Sequence, residues 1–135
     1  SILENWKSPK TIRPWGYYRE LYEGVDFKVK ELVINPHSKL SMQRHQFRSE
    51  TWNIVSGKVS MGLIDMNRGI QHTQQIFSTF EIPVFTWHQG INLTSNPAHV
   101  VEIWRGDSGQ LSEKDIERID SDSIQRLLSQ RIRPD

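Results

Sequence analysis

The chain has 135 residues, 36% hydrophobic and 24% charged, with 17 basic against 16 acidic residues and a formal net charge of +1. That length and balance suit one folded domain with one core, and exclude a disordered chain or one drawn to nucleic acid or membrane by bulk charge. There is no cysteine, which excludes disulfides and thiolate metal sites, and the apolar runs are too short to span a bilayer. The opening Ser1-Ile2-Leu3-Glu4-Asn5-Trp6-Lys7 has no basic segment followed by an apolar one, so no signal peptide is expected and a cytoplasmic location is. Asn92-Leu93-Thr94 fits a glycosylation sequon, read as chance in an unsecreted chain.

In chain order, Arg13-Pro14-Trp15-Gly16 reads as a turn that introduces short alternating segments. Phe27, Val29, Leu32, Val33 and Ile34 predict a strand, with Lys28 and Lys30 at alternate positions, and Pro36 ends it. Leu40 to Phe47 reads as a second strand. Thr51 to Val55 is a third and stops at Ser56-Gly57. Lys58 to Met66 and Gln71 to Phe77 form a hairpin about Asn67-Arg68-Gly69. Thr79 to Ile82, Phe85 to Leu93 and His99 to Arg105 complete the set. Short strands at this regular spacing predict an all-β sandwich, jelly roll or barrel. The C-terminal region changes character. Ser112-Glu113-Lys114-Asp115 has the form of a capping box and predicts a helix start, with Ile116 and Ile119 on one face. A second helical stretch, Ser123 to Arg131, puts Ile124, Leu127 and Leu128 on one stripe, suited to packing on the outside of a barrel. The expected organisation is an arm over 1–12, a barrel over 13–110 and a helical extension over 111–135.

Four polar residues stand out. Gln43 and His45 share a strand face, Glu50 opens the next apolar segment, and His88 sits on a late strand that can cross beside the first. Two imidazoles, a carboxylate and an amide oxygen suit a divalent ion such as Zn²⁺, Mn²⁺, Co²⁺ or Fe²⁺. Spacing alone is weak support, because a lone histidine on a half-buried strand is more often simply hydrogen-bonded.

The local patterns add specificity. His37, five residues, Gln43-x-His45, four residues, Glu50, six residues, Gly57 resembles the first motif of the cupin family, with His37 in place of its Gly and Gln43 in place of its first His. Pro83-x-Phe85, two residues, His88, three residues, Asn92 resembles the second, with Phe85 for Gly. The likeness narrows to the mannose-6-phosphate isomerase type II cupin, often the C-terminal domain of a bifunctional isomerase and mannose-1-phosphate guanylyltransferase. It is carried by Arg13-Pro14-Trp15-Gly16-Tyr17-Tyr18, Phe27-Lys28-Val29-Lys30, Leu40-Ser41-Met42-Gln43-Arg44-His45, Arg48-x-Glu50-x-Trp52 and Leu111-x-Glu113-x-Asp115-Ile116-x-Arg118. The resemblance implies a double-stranded β-helix, the cupin jelly-roll barrel, with a short C-terminal helical segment. It implies metal ligation by Gln43, His45, Glu50 and His88, and a phosphate-holding or assisting role for Arg13 and Arg118. Three departures stand against full activity: Phe47 and Thr51 replace family histidines, Trp104 replaces a Gln, and the usual Tyr-Gly-Arg ending is missing. No guanylyltransferase sequence is present, so that activity is not expected.

The expectation is therefore a metal-dependent isomerase converting mannose 6-phosphate to fructose 6-phosphate, with the ion polarising the sugar oxygens. The alternatives are a non-catalytic cupin that binds a sugar or sugar nucleotide, and another metal-cupin enzyme. Phosphate could be held by Arg13, Arg48 or Arg118, whose planar donor forks suit it. Lys30 is the candidate base if it points inward. Phe47 shares the parity of His45 and is expected to narrow the cavity, whereas Thr51 is expected to face away from Glu50. His37, His72 and His99 read as surface or turn residues. The expected partner is a small sugar phosphate. A homodimer is open to the chain by resemblance.

Overall fold

The computed structural model describes residues 8–131. The opening heptapeptide, most of the expected arm and positions 132–135 lie outside the described residues. The strands are β1 (Thr11–Arg13), β2 (Gly16–Glu23), β3 (Phe27–Ile34), β4 (Ser38–Lys39), β5 (Met42–Arg44), β6 (Ser49–Ser56), β7 (Val59–Asp65), β8 (Ile70–Ile76), β9 (Thr79–Ile82), β10 (His88–Asn92), β11 (Ala98–Arg105) and β12 (Glu117–Ile119), followed by helix α1 (Ser121–Arg131). One sheet runs β1-β2-β3-β11-β6-β9. The other runs β12-β5-β10-β7-β8, with β4 also paired to β10. Every pairing is antiparallel. The two sheets form the expected jelly-roll barrel.

Strand alternation divides the interior into an apolar end and a polar end. Along β3, Lys28, Lys30, Leu32 and Ile34 are all buried and share one face. Along β11, which runs the other way beside it, Ala98 and Val100 are followed by Glu102 and Trp104. Leu32, Ile34, Val59, Met61, Ala98 and Val100 form one core with Trp52. The lysines and Glu102 therefore lie together at the opposite end. Gly90 on β10 lets the Trp52 indole cross the barrel, because a Cβ there would lie 2.6 Å from the ring. Buried Asn92 donates to the Ile34 carbonyl at 3.0 Å and the Asn96 carbonyl at 2.8 Å, and its Oδ1 accepts from Thr94. The sequon asparagine is thus a structural tie inside the fold.

Three expectations need correction. The segment from Leu40 to Phe47 is not one strand: only β5, Met42–Arg44, is extended there, the short β4 precedes it, and residues 45–48 form a turn before β6. Strands β1, β2 and β12 went unforeseen; the Arg13–Gly16 turn in fact joins β1 to β2. No helix starts at Ser112. Its Oγ accepts from Lys114 N at 3.1 Å and its carbonyl from Asp115 N at 3.1 Å, a tight turn. The Asp115 carboxylate meanwhile accepts from Gln46 N at 2.8 Å and Phe47 N at 2.9 Å, so it cannot cap a helix of its own. The chain then pairs with β5, placing Arg118 opposite Gln43. Helix α1 begins after Asp120, whose Oδ1 accepts from Ser123 N at 2.8 Å as an N-cap. Ile124 and Leu128 pack on the outer face of the second sheet with Met42, Ile64 and Trp87, as their stripe predicts.

Candidate metal centre

Three of the four expected ligands converge. The donor atoms of His45, Glu50 and His88 lie within 4.8 Å of one another, and all three residues are buried. Glu50 Oε2 is 3.2 Å from His45 Nε2, and Glu50 Oε1 is 3.7 Å from His88 Nε2. Both imidazoles are oriented from behind. His45 Nδ1 bonds the Asp115 carbonyl at 2.7 Å and His88 Nδ1 the Thr86 carbonyl at 2.8 Å. A carbonyl only accepts, so each Nδ1 carries the hydrogen and each Nε2 is turned toward the carboxylate. Gln43 lines the same cavity, beside His88 in the β5–β10 pair. Its amide Nε2 donates to Ser41 O and Oγ, both at 3.3 Å.

The electrostatics suit this arrangement. Burial pushes the His45 imidazole down to about 4, assisted by Arg48 and His88 and opposed by Glu50, so the ring is neutral at ordinary pH. Burial alone would raise Glu50. His88, Arg48, His45 and the Trp52 N–H outweigh it and hold the carboxylate at about 2. An ionised carboxylate beside the neutral His45 ring and the Nε2 of His88 is a donor set that fits a divalent ion.

Arg48 is buried in the same cluster. Its Nε donates to Glu50 Oε2 at 2.8 Å, one terminal nitrogen lies 3.2 Å from His45 Nε2, and the other donates to the Ser112 carbonyl at 3.0 Å. The guanidinium lies over the Trp104 ring, 3.4 Å from its centroid. Its donors are thus taken up within the protein. Arg13 and Arg118 are exposed and line the mouth of the cavity, which encloses about 300 Å³. Lys30 does point inward. Its Nζ is bonded to Glu113, lies 3.9 Å from Glu102, and sits over the rings of Tyr18 at 3.8 Å and Trp104 at 4.4 Å.

The two departures behave differently. Thr51 faces outward, donating to Glu81 at 3.0 Å, as its parity predicts. Phe47 is 44% exposed and does not line the cavity, because the turn at residues 45–48 breaks the alternation on which the expectation rested.

Sequence reasoning missed two residues. Asp115 fastens the turn at residues 45–48 with its carboxylate and orients His45 with its carbonyl. Glu102 is a buried carboxyl in the cavity wall, accepting from Trp104 Nε1 at 3.0 Å. Burial and the nearby charge of Glu50 raise it to about 8, against the opposing pull of Lys30, Arg48 and the Trp104 bond. A signal for Glu102 existed: Glu50-x-Trp52 and Glu102-x-Trp104 share one spacing on paired strands.

Comparison with known proteins now gives this geometry a family. Residues 4–121 match the family described as mannose-6-phosphate isomerase C-terminal. The alginate biosynthesis protein AlgA of Pseudomonas aeruginosa is 32% identical over 111 residues, which are 82% of this chain and 22% of that protein. A mannose-1-phosphate guanylyltransferase of Salmonella muenchen is 32% identical over 120 residues, 89% of this chain and 24% of that protein. The xanthan biosynthesis protein XanB of Xanthomonas campestris is 32% identical over 111 residues, again 82% and 22%. Among solved structures, the capsular polysaccharide assembling protein CapF of Staphylococcus aureus superposes with a TM-score of 0.73 at 17% identity, covering 85% of this chain and 32% of that one. Oxalate decarboxylase of Bacillus subtilis gives 0.70 at 15%, covering 83% and 30%. Both show the cupin fold. The chain spans less than a quarter of the length of the curated relatives described here. These findings overturn the expected isomerase. The relatives are named for guanylyl transfer and polymer biosynthesis, and the stretch they share with this chain supports a cupin without singling out isomerisation. The chain belongs to the mannose-6-phosphate isomerase C-terminal family of cupins.

Proposed function

We propose that this cupin holds one divalent metal ion through His45, Glu50, His88 and the amide oxygen of Gln43, and binds a sugar phosphate in the cavity beside it. The observation that carries the reading is the pair of tied-off Nδ1 atoms, which leaves both Nε2 atoms facing a buried carboxylate. Histidine–carboxylate–amide donors suit Zn²⁺, Co²⁺, Mn²⁺ or Fe²⁺. When bound, the ion supplies a Lewis acid for ligand oxygens. The chain supplies the remainder. Arg13 and Arg118 present guanidinium forks to a phosphate at the cavity mouth. The Trp52 and Trp104 rings exclude water beneath it. Relatives named for alginate and xanthan biosynthesis support a place in handling polysaccharide precursors, and a cytoplasmic setting goes with that role. No helix among the described residues is long and apolar enough to cross a membrane.

The test is calorimetric titration of chelator-stripped protein with Zn²⁺, Co²⁺ and Mn²⁺, then of the loaded protein with mannose 6-phosphate. The expected results are one ion per chain, at least a hundredfold weaker ion binding in His88→Ala, and weaker sugar-phosphate binding in Arg118→Ala. Unchanged ion affinity in His88→Ala overturns the metal reading.

A further inference from the structure

The inner wall of the barrel carries two carboxyl groups in matched settings. On β6, Trp52 Nε1 donates to Glu50 Oε1 at 3.0 Å. On β11, Trp104 Nε1 donates to Glu102 Oε1 at 3.0 Å. The strands are antiparallel neighbours with Trp104 opposite Glu50 and Trp52 opposite Glu102. The two glutamates are thus diagonal neighbours on one face, with backbones roughly 7–8 Å apart, a span that one small ligand bridges. Both are buried and both line the cavity.

Their surroundings differ. Glu50 faces His45, His88 and Arg48. Glu102 faces Lys30 on β3 at 3.9 Å, but Lys30 Nζ is bonded to Glu113 of the segment after β11. Tyr18 on β2 stacks over that ammonium. Arg48 lies across the Trp104 ring and bonds Glu50, and the exposed Arg13 and Arg118 stand at the mouth. Two carboxyl groups pushed in opposite directions by their settings divide the work between an anion and an acid.

We propose that Glu102 is a ligand-contacting residue that acts as an uncharged acid, donating a hydrogen bond from its carboxyl O–H to an oxygen of the sugar phosphate bound beside Glu50. The inference rests on the ligand reading given above and names a residue that fixes which ligand oxygens are accepted. An acid in this wall accepts an anionic or hydroxyl oxygen, whereas a carboxylate there repels the anion and offers no donor. Ligand binding therefore requires the protonated form and takes up a proton once the free protein has lost it. Affinity then falls by about tenfold per pH unit above the point where Glu102 ionises. Burial is the largest of the causes that raise that point, ahead of the charge of Glu50.

The test compares mannose 6-phosphate affinity of Zn²⁺-loaded wild type and Glu102→Gln from pH 6 to pH 10. Glutamine keeps the shape, the acceptor for Trp104 and a donor toward the ligand at every pH. The expected result is similar affinity at pH 6 and a divergence of at least tenfold at alkaline pH, with the variant the tighter binder. Ionisation of the phosphate, of the ion's bound water or of Lys30 moves both profiles together and cancels in the comparison. Infrared spectroscopy of the wild type keeps the proposal testable if the variant misfolds: a protonated-carboxyl band should persist at neutral pH and disappear at alkaline pH. Parallel affinity profiles, or no such band at neutral pH, overturn the proposal. Wild type that binds no mannose 6-phosphate at any pH overturns the ligand reading and this contact together. That failure is distinguished because the band remains.

Discussion

Glu102→Gln should stabilise the metal-free protein, increasingly so as pH rises. The carboxyl ordinarily titrates at 4.5 and is raised to about 8 in the fold. Between those values the folded chain holds a proton that the unfolded chain has released. Each pH unit in that window therefore costs the wild type about 1.4 kcal/mol. The disadvantage is absent below the ordinary value, grows through the window and levels off above pH 8. At pH 7 it amounts to about 3 kcal/mol. Glutamine escapes it while keeping the acceptor for Trp104 Nε1, and Lys30 keeps its bond to Glu113. Urea denaturation in EDTA at pH 5, 6, 7 and 8 measures the difference directly. It should rise with pH and reach about 4 kcal/mol at pH 8, or roughly 10–20 °C in Tm for a chain of this size. A difference that is flat across the series, or a variant less stable at pH 8, would refute the reasoning.

The other predictions concern the surrounding network. Glu102→Gln, freed of the opposing effect of Glu102, should lose stability on acidification in two stages, seen by thermal melts in EDTA. The His45 ring, depressed to about 4, loses its contribution as pH falls from its ordinary 6.5, and Glu50 loses its own from 4.5 down to about 2. Arg48→Ala strands the buried Glu50 carboxylate and should cost about 3–5 kcal/mol in chelator; Zn²⁺ should recover much of this, because an ion replaces the missing charge. Asp115→Ala frees the amides of Gln46 and Phe47 and should cost about 1–3 kcal/mol by denaturant titration. The same change should weaken Zn²⁺ binding about tenfold or more through His45. Gly57→Ala forces a side chain to φ +78° with its Cβ 2.5 Å from the Pro97 carbonyl, and should lower Tm by several degrees.

The barrel was legible because its strands alternate and end at Gly or Pro, and the ligand spacing was legible because parity on β5 and β6 decides which side chains turn inward. Reading failed where alternation stops. Phe47 was assigned to the cavity on a parity that the turn after Arg44 abolishes. Lys28 and Lys30 share the inward face with Leu32 and Ile34, so charge could not reveal their side; the carboxylates of Glu20 and Glu113, the Leu111 carbonyl and the Tyr18 and Trp104 rings, supplied by other segments, make that burial tolerable. Ser112 was read as a helix cap because the Asp115 carboxylate looked local, whereas it is taken up by amides some seventy positions earlier. The two family glycine positions held by His37 and Phe85 were legible as departures. The structure gives their physical content: φ is +52° at His37 and +59° at Phe85, the left-handed region that glycine enters freely. Phe85 offsets that strain in part, since the Arg44 guanidinium lies 3.8 Å from its ring centroid.

The bond between His45 and the Asp115 carbonyl spans 70 positions. During synthesis, the three clustered donors leave the ribosome well before the acceptor that fixes the His45 tautomer. A nascent or proteolysed chain ending at Arg105 carries His45, Glu50 and His88 but leaves the first ring free to turn. On the metal reading proposed above, tight ion retention would report that residues 111–119 have docked against the turn that carries His45.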